Sequence, residues 1–342
     1  MITEILPYCF YAVIGISALM YVMLDGFDLG VGTLYLFSKT DEERRIFLNS
    51  IGPIWDGNVV WLIIIMGGLF AGFPEAYATI FSAFYNLFTM LIAALIFRAV
   101  AIEMRSKLPS TRWRAFWDGV FFLGSFSIAF LSGIAVGNLI EGIPLDAAHN
   151  YVGSFGGFFN GYTLLVGCLV TALFTMHGCI YLILKTEGEL QQKLRRWVGP
   201  VVQGFLALFA LTTMATLIYH PHMVALFAER PELFLVVALG LAALFGVITC
   251  VRKLREGWAF ICSALAMAFF VGVFGIGTFP YIVRSSIEPT QYSMSITNSA
   301  SGTLTLSVLM IIVLIGVPLV LGYMAWIHRI FAGKVKLDSS SY

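Results

Sequence analysis

Charge is scarce in this sequence. Asp, Glu, Lys and Arg together make up 11% of its 342 residues, while 59% are hydrophobic and the mean hydropathy is +0.90. Soluble domains carry about 25% charged residues. A chain of this length in water could not hide so much apolar surface, so the composition predicts an all-α polytopic membrane protein. The formal net charge of +1 gives no basic footprint and argues against a nucleic-acid partner. The start, "MITEILPYCF", has Glu4 and no basic n-region, so no secretory signal peptide is expected. Cys9, Cys168, Cys179, Cys250 and Cys262 lie in or at the ends of apolar stretches without a CxxC pair, and read as small packing residues rather than a disulfide framework. Histidine is equally sparse. Only His177 lies well inside an apolar run, where a lone histidine is expected to be a hydrogen-bonded packing residue rather than a haem ligand. His220 and His222 form an HxH in a loop, a weak metal candidate, and His149 and His328 read as loop and interface residues. No P-loop, GxSxG, HExxH or Rossmann run survives its context.

Long apolar runs are what the sequence has in quantity. A membrane-crossing helix needs about 20 apolar residues. Nine segments qualify: 8–37, 54–72, 76–103, 116–140, 158–185, 198–219, 232–251, 258–280 and 303–330. They fill residues 1–342 as a single membrane-integral domain with mostly short linkers. The longest linkers, near 141–157 and 281–302, are rich in Gly, Ser and Asn. Nine helices suit two four-helix bundles (about 8–140 and 158–280) plus one extra helix, although no repeat between the two halves is visible. Basic residues set the orientation. Linkers 38–53, 104–115, 185–197 and 252–257 and the tail after 328 hold 17 of the 20 Lys and Arg residues. The alternate linkers hold Arg230 and Arg284, and Arg98 is left inside a span. The N-terminus is therefore expected outside and the C-terminus in the cytoplasm.

Charges at membrane depth cost about 2.5–3.5 kcal/mol each on insertion scales, yet this chain places several on one side. "MLDGFDLGVG" puts Asp25 and Asp28 in the inner half of the first span. Asp28 lies about nine residues, or roughly 14 Å, from the span's end. "SIGPIWDGNVVW" places Asp56 near the start of the second span, where the helix dipole favours an anion. "FRAVAIEMRSK" puts Arg98 and Glu103 in the inner part of the third span, and "WRAFWDG" puts Asp118 at the start of the fourth. Asp25 and Asp28 are i and i+3 and share a helix face. Two carboxylates in low dielectric do not both ionise cheaply unless a cation answers them, and the guanidinium of Arg98 has the geometry to do so. Such a group with split proton affinities suits a proton path; a structural ion-pair network fixing four helices is the competing reading. Gly26, Gly30 and Gly32 allow close helix approach beside the acids. Trp55 and Trp61, flanking Asp56 and Asn58, read as an interfacial anchor and a packed ring, or with Asn58 as the wall of a quinone or proton path.

In the order "LDGFDLGVG", "DEERRIFLNSIGPIWDGNVVWLI", "FRAVAIEMRSK", "TRWRAFWDGVFFLGS" and "GIAVGNLIEGIPL", the sequence resembles subunit II of the cytochrome bd-type quinol oxidases. The likeness continues through "TEGEL", "WAFICSALAMA", "GTFPYIVRSS" and "SASGTLTL" and so covers the whole chain. The resemblance implies a multi-pass subunit of a terminal oxidase in the bacterial inner membrane. That oxidase takes electrons from quinol and reduces dioxygen to water. The haems (haem b with haem d, or a b-type variant) and the quinol-oxidation loop are implied in a partner, subunit I, which explains a chain without its own ligand set. Other implied partners are membrane lipid, quinone, including one held structurally, and small single-helix subunits. The resemblance assigns this chain to support of haem-subunit assembly and to proton delivery from the cytoplasm, with Asp25, Asp28 and foremost Asp56 as the carboxylates concerned and Glu103 and Asp118 as weaker members. Some members carry Trp-Asp before the last helix; Thr297 and Asn298 stand here, which removes an acid from that place. A proton-coupled transporter and a purely structural scaffold are the rival expectations. One-sided charges speak against a transporter, whose site usually lies near the midplane between broken helices.

Overall fold

The structure, a computed structural model, describes residues 2–337. Its helices are α1 (Ile2–Leu34), α2 (Asp41–Ile51), α3 (Trp55–Gly72), α4 (Pro74–Ala83), α5 (Tyr85–Met104), α6 (Thr111–Glu141), α7 (Gly161–Lys185), α8 (Gly188–Tyr219), α9 (Ala225–Glu229), α10 (Phe234–Arg252), α11 (Glu256–Thr278), α12 (Pro289–Tyr292) and α13 (Thr303–Ile330). Among the described residues, nine stretches are long and apolar enough to cross a membrane: α1, α3, α5, α6, α7, α8, α10, α11 and α13, some with short flanking turns. The all-helical, nine-span expectation holds.

Helix α1 is the central post. It packs on α3 and α6 of its own half and on α7 and α11 of the other, and α6 also packs along α7. The α1–α7 approach is set by glycine. A Cβ on Gly30 would overlap the carbonyl of Phe174, and one on Gly178 would overlap the backbone of Gly30. The two backbones can touch because neither side carries a side chain. Helix α13 lies against α1 and α3, with only 6% of its most apolar stretch buried.

Helix α1 begins at Ile2 rather than 8 and α6 at Thr111 rather than 116, and three further segments differ from the predicted ones. The segment 76–103 is not one straight helix: it bends at Phe84 (φ −88°, ψ 17°) between α4 and α5. Ala76, Ile80, Ala83 and Phe84 are buried in one cluster with Ile143, Leu145, Val283 and Met294 of the long linkers. Hydropathy reads an apolar capping helix and an apolar span alike. The sixth span starts at Gly188, ten residues before the predicted 198, because Leu190, Leu194, Val198 and Val202 form one buried i, i+4 stripe under charged neighbours. Linker 38–53 contains α2, whose N-cap Thr40 accepts a hydrogen bond from the Glu43 N–H at 3.1 Å, and whose Phe47, Leu48 and Ile51 are buried. At the opposite end, strands β1 (Tyr281–Val283) and β2 (Met294–Ser295) pair antiparallel, Val283 opposite Met294.

Candidate functional site: two buried charge networks

The first network lies between α1, α3 and α5. Asp25 and Asp28 are fully buried and Arg98 is 1% exposed. Arg98 Nη1 donates to Asp25 Oδ1 at 2.9 Å, and Nη2 stands 4.0 Å from Asp28 Oδ2. Asn58 Nδ2 donates to the same Asp28 oxygen at 2.7 Å. Gly124 on α6 makes room for this reach: a Cβ there would stand 3.1 Å from Cβ of Arg98. The Trp55 ring covers the guanidinium with 5.9 Å from Cζ to its centroid. Asp25 Oδ2, Asp28 Oδ1, Asn58 Oδ1, Arg98 Nε and Nη2, Tyr21 Oη and Trp61 Nε1 are buried without a hydrogen-bond partner among the described residues. Interior polar atoms of this kind need a proton, a water or a ligand to satisfy them. The charge count points to a proton. Two carboxylates against one guanidinium leave one negative charge in low dielectric, and one bound proton removes it.

The second network is separate and stands at the helix ends. Asp118 accepts from Tyr35 Oη at 2.7 Å, from Arg44 Nη1 at 2.7 Å and from Arg105 Nε at 2.5 Å. Arg105 also reaches Asp41 at 2.6 Å, and Arg114 approaches Asp41 at 3.2 Å. It ties α2 to the ends of α5 and α6. At Asp41, burial raises the proton affinity, but Arg105, Arg114 and Arg45 outweigh it and hold the carboxyl below its ordinary range. Its depressed value means this tie contributes stability above the ordinary carboxylate range, and loses it as pH falls through that range.

The predicted acids thus divide. Asp25, Asp28 and Arg98 meet as expected, joined by Asn58 and Trp55. Asp118 is buried but belongs to the second network. Asp56 and Glu103 are exposed and outside both buried groups. Asp56 makes no hydrogen bond or ion pair among the described residues. Residues two apart on a helix point to opposite sides, so Asn58 faces Asp28 while Asp56 faces out. Trp61 is fully buried, a packed ring. Sequence reasoning missed Tyr35, Arg44 and Arg105, which lie in a turn and in charged linkers and announce no periodicity.

The histidines follow the packing expectation. His177 Nε2 donates to the Met23 carbonyl at 3.0 Å, which leaves Nδ1 to accept from Ser263 Oγ at 2.8 Å, and the ring stacks on Phe260. Both nitrogens are used by protein partners, so His177 does not fit as a haem ligand. His222 Nε2 donates to the Ile140 carbonyl at 2.9 Å, while His220 Nε2 lies 3.6 Å from Glu141 and makes no hydrogen bond among the described residues. No metal-holding group of three His, Cys, Asp or Glu residues occurs among the described residues.

Nine apolar helices around a buried carboxylate–guanidinium group define a multi-pass membrane protein with charge held inside it. Residues 6–331 match the family described as cytochrome bd terminal oxidase subunit II, and the chain belongs to that family. It is 33% identical over 363 aligned positions to cytochrome bd-I ubiquinol oxidase subunit 2 of Escherichia coli, covering 97% of this chain and 96% of that one. It is 35% identical over 326 positions to cytochrome bd ubiquinol oxidase subunit 2 of Bacillus subtilis, 92% of each being covered. The bd oxidase structure from Geobacillus thermodenitrificans shares the fold, with TM-score 0.80 and 17% identity over 95% of this chain and 98% of that chain. The protein is therefore a bacterial inner-membrane subunit of a quinol:oxygen oxidoreductase, part of a haem-containing complex with subunit I.

Proposed function

We propose that this subunit delivers cytoplasmic protons toward the oxygen-reducing partner and braces the haem subunit during assembly. The observation that carries the proposal is the fully buried pair Asp25 and Asp28 sharing one guanidinium, a site that is neutral only with a proton on it. When bound in subunit I, the haems carry electrons from quinol to dioxygen. Asp56, exposed at the first turn of α3, takes protons from water at the basic end of the molecule. Asp25 and Asp28 hold a proton or set the local field, and Glu103 and Asp118 stay peripheral to the route. Trp55, partly exposed beside Arg98, is the wall against which a structural quinone ring would lie. The N-terminus faces outside and the C-terminus the cytoplasm, in keeping with the distribution of Lys and Arg.

Asp56→Asn tests the uptake role. Oxygen consumption should fall by about tenfold or more, the scale on which a positioned proton donor acts, while the haem spectrum of the purified complex remains. An assembled variant with the wild-type rate would end the proposal for Asp56. The scaffold reading is favoured by a different observation, the three-way hold of Tyr35, Arg44 and Arg105 on Asp118. Both roles can be carried by one subunit because the two networks are distinct.

A further inference from the structure

A cavity of about 420 Å³ opens where the ends of α7 and α13 meet the start of α11. Its walls include Ile54, Tyr181, Leu184, Phe260 and Phe331, and its polar groups are Lys185, Glu256, His328 and Lys334. Lys185 is the anomaly. The residue is 9% exposed, and its Nζ donates to the Phe331 carbonyl at 2.5 Å and lies 5.7 Å from the Tyr181 ring centroid. No carboxylate pairs with it among the described residues. The one carboxylate on the cavity, Glu256, is already shared by Arg195 at 2.7 Å and Lys334 at 2.5 Å. On the wall itself two ammonium groups, Lys185 and Lys334, face one carboxylate, which leaves an excess of one positive charge (2 − 1 = 1) around a partly apolar hole, and Arg195 draws on that same carboxylate from behind. A buried ammonium without a counter-ion is costly. Nε2 of His328, a buried nitrogen without a hydrogen-bond partner among the described residues, belongs to the same wall.

We propose that this cavity is a binding site for an anionic phospholipid, with its phosphate on Lys185 and Lys334 and its first chain carbons against Phe260 and Phe331. Depth supports a lipid over a free ion. Tyr323, Trp326 and Phe331 stand 55%, 59% and 44% exposed at the same end of α13, an aromatic belt of the kind that marks the headgroup level. Basic pockets between spanning helices on the cytoplasmic side suit such headgroups; this placement rests on the orientation proposed above. The chain tail closes the rim: Gly333, at φ +100°, turns it so that Lys334 also reaches the Ile183 carbonyl at 3.2 Å. A neutral quinone would leave the ammonium of Lys185 unanswered.

The test uses the intact detergent-purified oxidase complex and native mass spectrometry. The wild type should retain phosphatidylglycerol through delipidation. Lys185→Met should retain about tenfold less, the factor carried by one charge-assisted hydrogen bond, and Lys185→Arg should retain it. If Lys185→Met does not assemble, Lys334→Gln is measured instead and should also bind more weakly. Melting of delipidated wild type should rise with phosphatidylglycerol vesicles and not with phosphatidylcholine vesicles or inorganic phosphate. Equal protection by phosphatidylcholine, equal protection by inorganic phosphate, recovery of quinone alone, or unchanged lipid retention in every lysine variant that assembles would overturn the proposal.

Discussion

Arg98 holds α5 to α1 through Asp25 at 2.9 Å, in a space where neither side chain reaches solvent. Removing one partner of such a pair strands the other charge and costs about 3–5 kcal/mol. Arg98→Ala should therefore sharply lower the yield of haem-bearing complex. Adding Asp25→Asn to Arg98→Ala should recover part of it, since the stranded anion goes with the cation. Recovered haem absorbance per milligram of membrane is the readout: a wild-type yield from Arg98→Ala would show that the pair carries no stability, and equal low yields for the two variants would show that the stranded anion is not the cause of the loss. The meeting of Asp25, Asp28 and Arg98 was legible from depth and spacing, because isolated charges in apolar runs have few partners to choose from. The outward turn of Asp56 was less so. Its place on α3 depends on where the helix starts and which face meets α1, and a residue count gives neither.

Helix α1 touches α7 at Gly30 and Gly178 with backbone against backbone. A side chain there has nowhere to go, because the obstructing atoms are main chain. Gly30→Val should destabilise the fold by about 1–3 kcal/mol or more, seen as a lower melting temperature of the complex. Gly15→Val, on the same helix with nothing within 4 Å of where a Cβ would stand, should change little. Small residues beside the acids pointed to close packing, and Gly26, Gly30 and Gly32 each meet a neighbour: Met267 and Phe174, Phe174 and Gly178, and Ser125. The partner glycine on α7 had no such marker. Elements were placed well where apolar length decided them, and poorly at 76–103 and 185–197. There the deciding contacts come from distant linkers (Ile143, Val283) or from a buried stripe beneath charges.

Across the whole molecule, the charged linkers gather at one end and the Gly-, Ser- and Asn-rich linkers at the other. With the N-terminus outside, Ser286→Cys in a cysteine-free background should react with a membrane-impermeant maleimide in intact cells. Gln192→Cys should react only after the membrane is opened. The reverse pattern would invert the orientation, and with it the direction of proton delivery. The flanks of α8, α10 and α13 expose large apolar side chains, among them Leu217, Phe245 and Leu319.

The sequence alone determined the class, the number of spans and the side on which charge collects, because transfer from water to lipid acts on each segment by itself. Its motif order also determined the family. Only the tertiary structure decided that the acids form two networks and not one, that Asp56 and Glu103 face outward, and that Lys185 is a buried cation without an anion. Those outcomes depend on which helix faces meet, and that is settled by contacts between residues far apart in the chain.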